Sequence, residues 1–222
     1  MGIKMEREID LKEISDGKLY ESGDLVKVGC NDCAGCSACC RGMENTIILD
    51  PYDMWQLAAG PGASLEQLLG EGRAELNMVD GVILPNLKLS GDGESCTFLD
   101  ENGRCSIHGF RPGICRLFPL GRIYEEHSFR YFLQVHECLK ENRTKMKVKQ
   151  WLGLPELKKY ETFICDWHFY LKELQNEVKG TADDETRKAL TMKLLKLFYL
   201  VPWNPAMDFY EQFYRRLRMV KK

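Results

Sequence analysis

The chain has 222 residues, of which 44% are hydrophobic and 29% charged, and its formal net charge at pH 7 is −2. Those proportions are typical of a globular protein with a sizeable core, and the near balance of charge gives no electrostatic basis for binding nucleic acid. No apolar run approaches the length of a membrane span, and the charged residues 1–10 lack the apolar core of a signal peptide. We therefore expect a cytoplasmic protein without nucleic-acid or membrane partners.

The first predicted element leads into the most unusual stretch of the sequence. Residues 6–20 carry scattered aliphatic side chains among charges, which predicts a weakly amphipathic helix or turn. Half of the ten cysteines then fall within residues 30–40, at Cys30, Cys33, Cys36, Cys39 and Cys40. Small and polar residues separate them, which favours tight turns and leaves almost no apolar surface to pack. A metal bound by thiolates would order such a segment, because its binding free energy serves as folding free energy.

We interpret these cysteines as metal ligands rather than as disulfide partners. Disulfide frameworks belong to short secreted chains, and bridges between thiols two residues apart would be strained. The spacing C-x2-C-x2-C-x3-C of bacterial ferredoxins is met by Cys30, Cys33, Cys36 and Cys40, although Arg41 stands where that motif has proline. Structural zinc more often uses two separated C-x2-C knuckles. The spacing therefore favours an iron–sulfur centre, with zinc as the alternative.

Local propensity and turn signals predict a series of short elements from residue 46 to residue 138. The first are a β-branched run at 46–49, a helix opened by Asp50-Pro51 and ended by residues 60–62, and a second helix with a Ser64–Gln67 capping box. A hairpin follows, with strands 82–84 and 87–89 and with Asp80-Gly81 at its turn. The last are two strands in 96–105 around Asn102-Gly103, a compact turn at 111–119, and a hairpin of 123–124 with 129–135. Folding the 96–105 hairpin would bring Cys96 and Cys105 together. Cys115 and Cys138 also lie beside predicted turns, and turns can direct several sulfurs toward one metal centre.

The last third of the sequence has long helical periodicity. The predicted helices run from Pro155 to Gly180, from about Asp184 to Phe198, and from Met207 to Met219. Cys165 lies on the first of them and is interpreted as a buried core residue. We therefore expect an α+β fold: residues 1–144 form a small cysteine-rich metal-binding core with antiparallel hairpins. A helical region, residues 145–222, packs on that core as part of one structural domain.

The candidate ligands are eight loop-borne thiols with Cys30 as an additional candidate: Cys30, Cys33, Cys36, Cys39, Cys40, Cys96, Cys105, Cys115 and Cys138. Eight thiolates would serve two 4Fe-4S centres, or one centre together with a few redox-active thiols. A 4Fe-4S centre with four thiolates is anionic, so nearby positive charges on Arg41, Arg111 and Arg116 would raise its reduction potential. The alternative is that these arginines face solvent or pair with acidic neighbours.

Four motifs, in order, resemble the YkgJ-like cysteine-cluster family, whose defining motif is CxxCxxCC. They are Cys33–Arg41, Cys96–Leu99, Cys105–His108 and Arg111–Pro119, and Cys138 matches the family's usual last cysteine. The resemblance spans about residues 30–138, leaves Cys30 outside the core motif and does not include the carboxyl-terminal helices. It implies a protein that chelates zinc or iron, and some relatives are described as flagellin lysine methylases.

Three hypotheses for function follow. The leading one is an iron–sulfur protein that exchanges electrons with a redox or protein partner, or that forms the redox part of a protein-modifying enzyme. A zinc-stapled interaction module without catalysis is the first alternative. A lysine methylase-like enzyme is the second, and it rests on the resemblance alone. The sequence contains no GxGxxG turn, P-loop, nucleophile elbow or radical-adenosylmethionine C-x3-C-x2-C spacing, so it assigns no catalytic residue.

Overall fold

The computed structural model describes residues 3–5, 10–31, 33–43, 46–90 and 95–221. Small antiparallel sheets and a helical carboxyl-terminal region confirm the predicted α+β class. The helices are α1 (Leu11–Ile14), α2 (Pro51–Ala59), α3 (Leu65–Gly70), α4 (Gly113–Leu117), α5 (Val148–Leu152), α6 (Leu157–Gly180), α7 (Asp184–Leu195) and α8 (Phe209–Val220). The strands are β1 (Ser15–Tyr20), β2 (Leu25–Gly29), β3 (Ala74–Val79), β4 (Val82–Leu87), β5 (Leu120–Glu125), β6 (Ser128–Gln134) and β7 (Thr144–Lys147).

A three-stranded antiparallel sheet joins parts of the chain on either side of the cysteine-rich segment. Its central strand is β6, which lies between β1 and β5, and β5 and β6 form the hairpin predicted at residues 123–135. The helix or turn predicted for residues 6–20 is only partly correct, because Leu11–Ile14 are helical but Ser15–Tyr20 are extended and pair with β6. Residues 6–9 of that prediction lie outside the described residues.

The β3–β4 hairpin turns at the predicted Asp80-Gly81 pair. Val79 lies opposite Val82, so the turn contains two residues. Both have left-handed backbones, with φ of +49° at Asp80 and +91° at Gly81. This is the turn geometry whose twist suits an antiparallel pair, and Gly81 adopts it without steric cost.

The second strand of this hairpin is longer than predicted. β4 continues unbroken to Leu87, which corrects the separate strand expected at 87–89. Its outer edge is covered by the β-branched run at 46–49: the Leu49 N–H donates to the Pro85 carbonyl at 2.9 Å. The N and C=O of one strand residue point to the same side, so the missing N–H of Pro85 lies at this outer edge and does not interrupt the pairing with β3.

The predicted helix start at Asp50 and the predicted Ser64–Gln67 capping box are both present, and the Asp50 cap is itself a capping box. The Asp50 carboxylate accepts from the Asp53 N–H at 2.9 Å, and the Asp53 carboxylate accepts from the Asp50 N–H at 3.0 Å. Ser64 and Gln67 make the same reciprocal pair at the start of α3. Because these hydrogen bonds satisfy backbone donors that the helix leaves free, they fix where α2 and α3 begin.

The main hydrophobic core contains residues from both sides of residue 144. Leu49, Tyr52 and Val82 pack in one cluster with Phe163 and Phe213 from the carboxyl-terminal helices. Phe163 meets the Phe213 ring edge to face, with centroids 4.7 Å apart. Side chains of this size contribute about 1.5–3 kcal/mol each when fully buried. The aromatic core therefore joins the helical region to the hairpin region, and the division into residues 1–144 and 145–222 stays a prediction.

A smaller core lies beneath the cysteine-rich segment. Val26 and Val28 of β2 pack there with Leu117, Val148 and Leu152. β2 pairs with β7, which leads directly into α5. β2 ends at Gly29, so this small core fixes the point at which the cysteine-bearing segment begins.

The positions predicted for the three carboxyl-terminal helices are confirmed. A π-helical segment, Lys196–Leu200, continues α7 and ends before Pro202. Cys165 is buried in α6, as expected. Arg216 lies near the carboxyl end of α8 but is not a surface residue, because it is only 5% exposed. Its guanidinium carbon lies 3.7 Å from the centroid of the Trp203 ring. Among the helices described, none combines the length and apolar character needed to cross a membrane.

Candidate metal centre

The segment that carries the first five thiols is built from consecutive turns. Asn31 (φ +53°) and Cys33 (φ +56°) have left-handed backbone conformations. The Cys36 N–H donates to the Cys33 carbonyl at 3.0 Å, and residues 38–40 form a short 3₁₀ turn. A left-handed conformation costs a residue with a side chain about 1 kcal/mol. Cys33 is therefore held in a backbone conformation that its own propensity disfavours, as occurs at functional sites.

Backbone contacts bring Cys96 and Cys105 to this segment. The Cys96 N–H donates to the Cys40 carbonyl at 2.8 Å, and a single antiparallel bridge joins Leu99 to Cys105. The loop between Cys96 and Cys105 returns on itself as predicted, but isolated bridges replace the two strands. The reason is local: the Asp100 carboxylate accepts two backbone N–H groups of the loop, at 3.0 and 2.7 Å, and curls the chain.

Cys115 reaches the same region on a short helix. The compact turn predicted at residues 111–119 is wrong in its local structure, because residues 113–117 form α4. The Gly113 N–H donates to Asp53 Oδ1 at 2.7 Å, which connects the start of α4 to the capping box of α2. α2 thus positions the helix that carries Cys115.

Five thiols lie close enough to perturb one another electrostatically, and we call them the inner thiol cluster: Cys39, Cys40, Cys96, Cys105 and Cys115. Burial raises the pKa of the Cys115 thiol well above its usual value, and the charges of Asp53 and of three other cluster members raise it further. The pKa of Cys40 is raised first by its hydrogen bond to Cys39, then by burial and by three members of the cluster. Screening by salt weakens interactions of this kind beyond about 10 Å, so these sulfurs share one region.

Backbone N–H groups point at two sulfurs of the inner thiol cluster. Burial raises the pKa of both thiols, and the Phe98 N–H bonded to Cys96 and the Ile107 N–H bonded to Cys105 oppose that effect. The two hydrogen bonds have the same spacing, from residue i+2 to the sulfur of residue i. Cys39 differs, because a hydrogen bond from Cys40 lowers its pKa to about 7. Donors of this kind stabilise the thiolate form that binds a metal.

A second set of thiols, which we call the outer thiol group, contains Cys30, Cys33, Cys36 and Cys138. The Cys30 and Cys33 sulfurs are 3.5 Å apart. All four cysteines line one small cavity. The centre of a water molecule can occupy a volume of about 20 Å³ inside it. Cys39 also lines this cavity and thus borders both sets.

All ten cysteines are free thiols, so none is committed to a disulfide. Among the described residues, no three Cys, His, Asp or Glu side chains converge tightly enough to complete the coordination of one ion. The residue types fit a thiolate-ligated metal, since nine partly buried thiols from separate segments lie in two neighbouring sets. Sulfur donors of this kind select zinc and iron–sulfur centres over magnesium or calcium.

Arg111 is the predicted arginine that faces the thiols. Its guanidinium lies 2.9 Å from His108 Nδ1 and donates to the His108 carbonyl at 2.9 Å. Burial and Cys30 raise the pKa of Cys33 to about 12, and the positive charge of Arg111 opposes this shift. Arg111 also lowers the pKa of Cys39 and Cys105, although other causes are larger for both. Its charge therefore acts on both sets of thiols.

The other two predicted arginines lie in different surroundings. Arg41 is exposed, and its Nη1 donates to Ser95 Oγ at 2.8 Å. Arg116 is 8% exposed and donates to the Gly109 carbonyl at 2.9 Å. Burial, followed by the charge of Arg111, lowers the pKa of Arg116. Arg116 therefore fixes the backbone around α4, and its predicted effect on a bound centre stays a prediction.

Asp53 and Trp151 lie near the thiols, and the sequence did not predict that either would be there. Asp53 was visible as a helix cap, but nothing in its spacing indicated the contact with Gly113, 60 residues away. Phe118, Pro119 and Trp151 line the cavity of the outer thiol group. Their apolar character was readable, but only the tertiary fold brings Trp151 beside Cys138.

The family model CxxCxxCC, described as a putative zinc- or iron-chelating domain, matches residues 32–144 of the chain. The matched segment includes eight of the nine candidate thiols and leaves out Cys30. No curated protein is significantly similar to the chain. No solved structure matches it either.

Proposed function

From the premise that the chain belongs to the CxxCxxCC family of zinc- or iron-chelating domains, we propose that it is an iron–sulfur protein with a redox function. The family membership supports metal binding, and the finer identity rests on the inner thiol cluster. Its members come from four separate segments, and two of their sulfurs accept backbone hydrogen bonds. Four of these thiols, Cys40, Cys96, Cys105 and Cys115, would hold a 4Fe-4S centre.

The arrangement of donors favours a polynuclear centre at the inner thiol cluster over a single zinc ion. One tetrahedral zinc with bonds of about 2.3 Å draws its four sulfurs to within about 3.8 Å of one another. A closed zinc site uses four such donors, whereas the inner thiol cluster offers five thiols from separate segments of the chain. A larger inorganic core can be held by sulfurs that lie farther apart than the ligands of one zinc ion.

Residues around the inner thiol cluster suit a redox role. An iron–sulfur centre accepts and returns one electron, at a potential set by charge, hydrogen bonds to sulfur and exposure. Arg111 supplies positive charge, which favours the reduced and more negative state. The N–H groups of Phe98 and Ile107 have the same effect on the sulfurs they contact. The partner would be a redox protein or a protein substrate, and the free thiols suit the reducing cytoplasm.

Anaerobic purification tests this proposal. Iron and acid-labile sulfide should be present in equal amounts, with a visible absorbance that dithionite bleaches. Cys115→Ser should lose most of the iron, whereas Cys165→Ser, which replaces a buried thiol outside both sets, should keep it. Colourless anaerobic protein without iron would refute the proposal, as would full iron content in Cys115→Ser.

A further inference from the structure

The outward side of the small β2–β7 sheet carries a group of positive charges. The other side of β2 is buried in the smaller core, so Leu25 and Lys27 point away from that core and are exposed. Lys27 lies directly opposite Lys145, and Leu25 lies opposite Lys147. Residues that lie opposite each other in an antiparallel pair share one face of the sheet. We call these four residues, Leu25, Lys27, Lys145 and Lys147, the basic face.

The pairing of Lys27 with Lys145 is unfavourable within the chain. Like charges directly opposite each other destabilise an antiparallel pair. Among the described residues, no acidic side chain forms an ion pair with a lysine of the basic face. The carboxylate of Asp24, next to Leu25, accepts the Glu21 N–H at 2.8 Å and closes the turn before β2. Negative charge from a partner would therefore relieve a repulsion that the chain itself leaves in place.

The excess of positive charge is local. Residues 139–149 contain five lysines and arginines but one glutamate, whereas the whole chain has 31 basic and 33 acidic residues. A basic region on a protein with nearly balanced charge attracts an acidic partner to that region in particular. The charge distribution thus favours an oriented encounter over general binding of polyanions.

The basic face leads directly to the thiols. β2 ends at Gly29, next to Cys30, and β7 begins opposite Gly29, so both strands reach cysteine-bearing segments at the same end of the sheet. Just before β7, Leu139 and Lys140 line the cavity of the outer thiol group. This group adjoins the inner thiol cluster through Cys39. A protein docked on the basic face would therefore lie beside the thiols.

Two exposed leucines favour a protein partner over nucleic acid. Leu25 is 56% exposed and Leu139 is 75% exposed. Protein interfaces combine apolar contacts at the centre with charged residues at the rim. The basic face consists of one leucine and three lysines, and it lacks the aromatic side chains on which nucleic-acid bases stack.

We propose that the basic face docks an acidic one-electron carrier protein. This inference rests on the proposed function, because the carrier would exchange its electron with the iron–sulfur centre. One electron leaves the reduced carrier and enters the oxidised centre, and no covalent bond forms or breaks. Carboxylates of the carrier pair with Lys27, Lys145 and Lys147, and an apolar contact covers Leu25.

Binding of a plant-type ferredoxin, an acidic one-electron carrier, tests the proposal. Anaerobic calorimetry with the full-length protein should show binding that weakens about tenfold when NaCl rises from about 50 to about 300 mM. Lys27→Glu should weaken binding about tenfold at the lower salt concentration. Lys193→Glu is the matched control, because it makes the same charge change at an exposed lysine of α7 and should bind as wild type does.

Urea denaturation adds a measurement that a purely structural role of Lys27 would not explain. Lys27→Glu replaces a like-charged pair by an oppositely charged pair, so it should raise the urea midpoint while it weakens ferredoxin binding. The double variant Lys27→Glu/Lys145→Glu restores like charges, and its midpoint should return toward the wild-type value. Loss of binding with a gain in stability would identify the lysine pair as a docking feature.

The outcomes separate the two proposals. Absence of iron would refute the iron–sulfur proposal, whereas ferredoxin binding that Lys27→Glu weakens would still support the basic face as a docking site. Absence of binding by wild type, or an unchanged Kd in Lys27→Glu, would overturn the docking site. Tighter Lys27-dependent binding to duplex RNA, or to vesicles with about 30% phosphatidylserine, would also overturn it, because the face would then recognise another class of anion.

Discussion

The Asp53 carboxylate contacts both its own helix start and the helix that carries Cys115. One oxygen accepts from the Asp50 N–H at 3.0 Å, and the other accepts from the Gly113 N–H at 2.7 Å. Asp53 is only 2% exposed, so water cannot replace either contact. A single side chain therefore fixes the distance between α2, which packs in the aromatic core, and α4, which presents a candidate ligand.

Replacing Asp53 by alanine should reduce both stability and metal retention. The substitution leaves the buried Gly113 N–H without an acceptor, which costs roughly 1–3 kcal/mol of the free energy of unfolding. Urea denaturation measures this loss, and iron analysis measures the effect on the site. Asp53→Asn is the matched control, because its amide oxygen can still accept from Gly113. Equal stability of the alanine and asparagine variants would show that this hydrogen bond has no such role.

Gly113 itself should not tolerate a methyl group. A Cβ at this position would overlap the hydroxyl of Tyr160, which is buried. Gly113→Ala should therefore lower the free energy of unfolding by about 1–3 kcal/mol. At Gly109 an added Cβ meets no atom within 4 Å, so Gly109→Ala is the control.

A double-mutant cycle makes this prediction specific. Tyr160→Phe removes the hydroxyl that the new methyl group would meet, so it should restore much of the stability lost in Gly113→Ala. Tyr160→Phe has its own cost, because the hydroxyl accepts from Arg122 at 3.2 Å, and the cycle subtracts this cost. Additive effects of the two substitutions would contradict the predicted clash.

Local signals in the sequence predicted much of the fold. The helix cap at Asp50, the capping box at Ser64 and the Asp80-Gly81 turn depend on neighbouring residues, and each was confirmed. Strand β1 was missed because its extended form depends on pairing with β6, more than 100 residues later. Helix α4 was missed because it has five residues and depends on Asp53 for its position.

For the candidate site too, the sequence predicted local features but not long-range contacts. The sequence identified the thiols, because their number and spacing are unusual, but it could not say which of them meet. Cys30, Cys33, Cys36 and Cys40 satisfy one linear motif, yet the fold places Cys40 beside Cys115 and the first three beside Cys138. That division follows from the Cys96–Cys40 backbone contact and the position of α4, both of which are long-range features.

The Asp50–Asp53 pair should make stability decrease as pH rises. Burial, the largest cause, raises the pKa of Asp50 from its usual 3.8 to about 6, and burial with the charge of Asp50 raises that of Asp53. The folded state then binds more protons than the unfolded state between about pH 4 and pH 6, so unfolding becomes easier as pH rises through this range.

Urea denaturation between pH 4 and pH 7 measures this dependence. Asp50→Asn can still accept from the Asp53 N–H but cannot ionise, so it should flatten the curve. Asp10→Asn is the control, since Asp10 is an exposed helix cap that also accepts a backbone hydrogen bond. An unchanged slope in Asp50→Asn would show that the buried pair does not control the effect.

Arg111 should set the reduction potential of the proposed iron–sulfur centre. Its positive charge acts on Cys39 and Cys105, and reduction adds negative charge to the centre, so Arg111→Gln should lower the potential measured by anaerobic dithionite titration. Arg111→Lys should keep most of the wild-type value, because lysine retains the charge. Arg41→Gln should have a smaller effect, since Arg41 is exposed and its charge is screened by solvent. If Arg111→Gln retained its iron and the wild-type potential, the charge of Arg111 would have no part in tuning the centre.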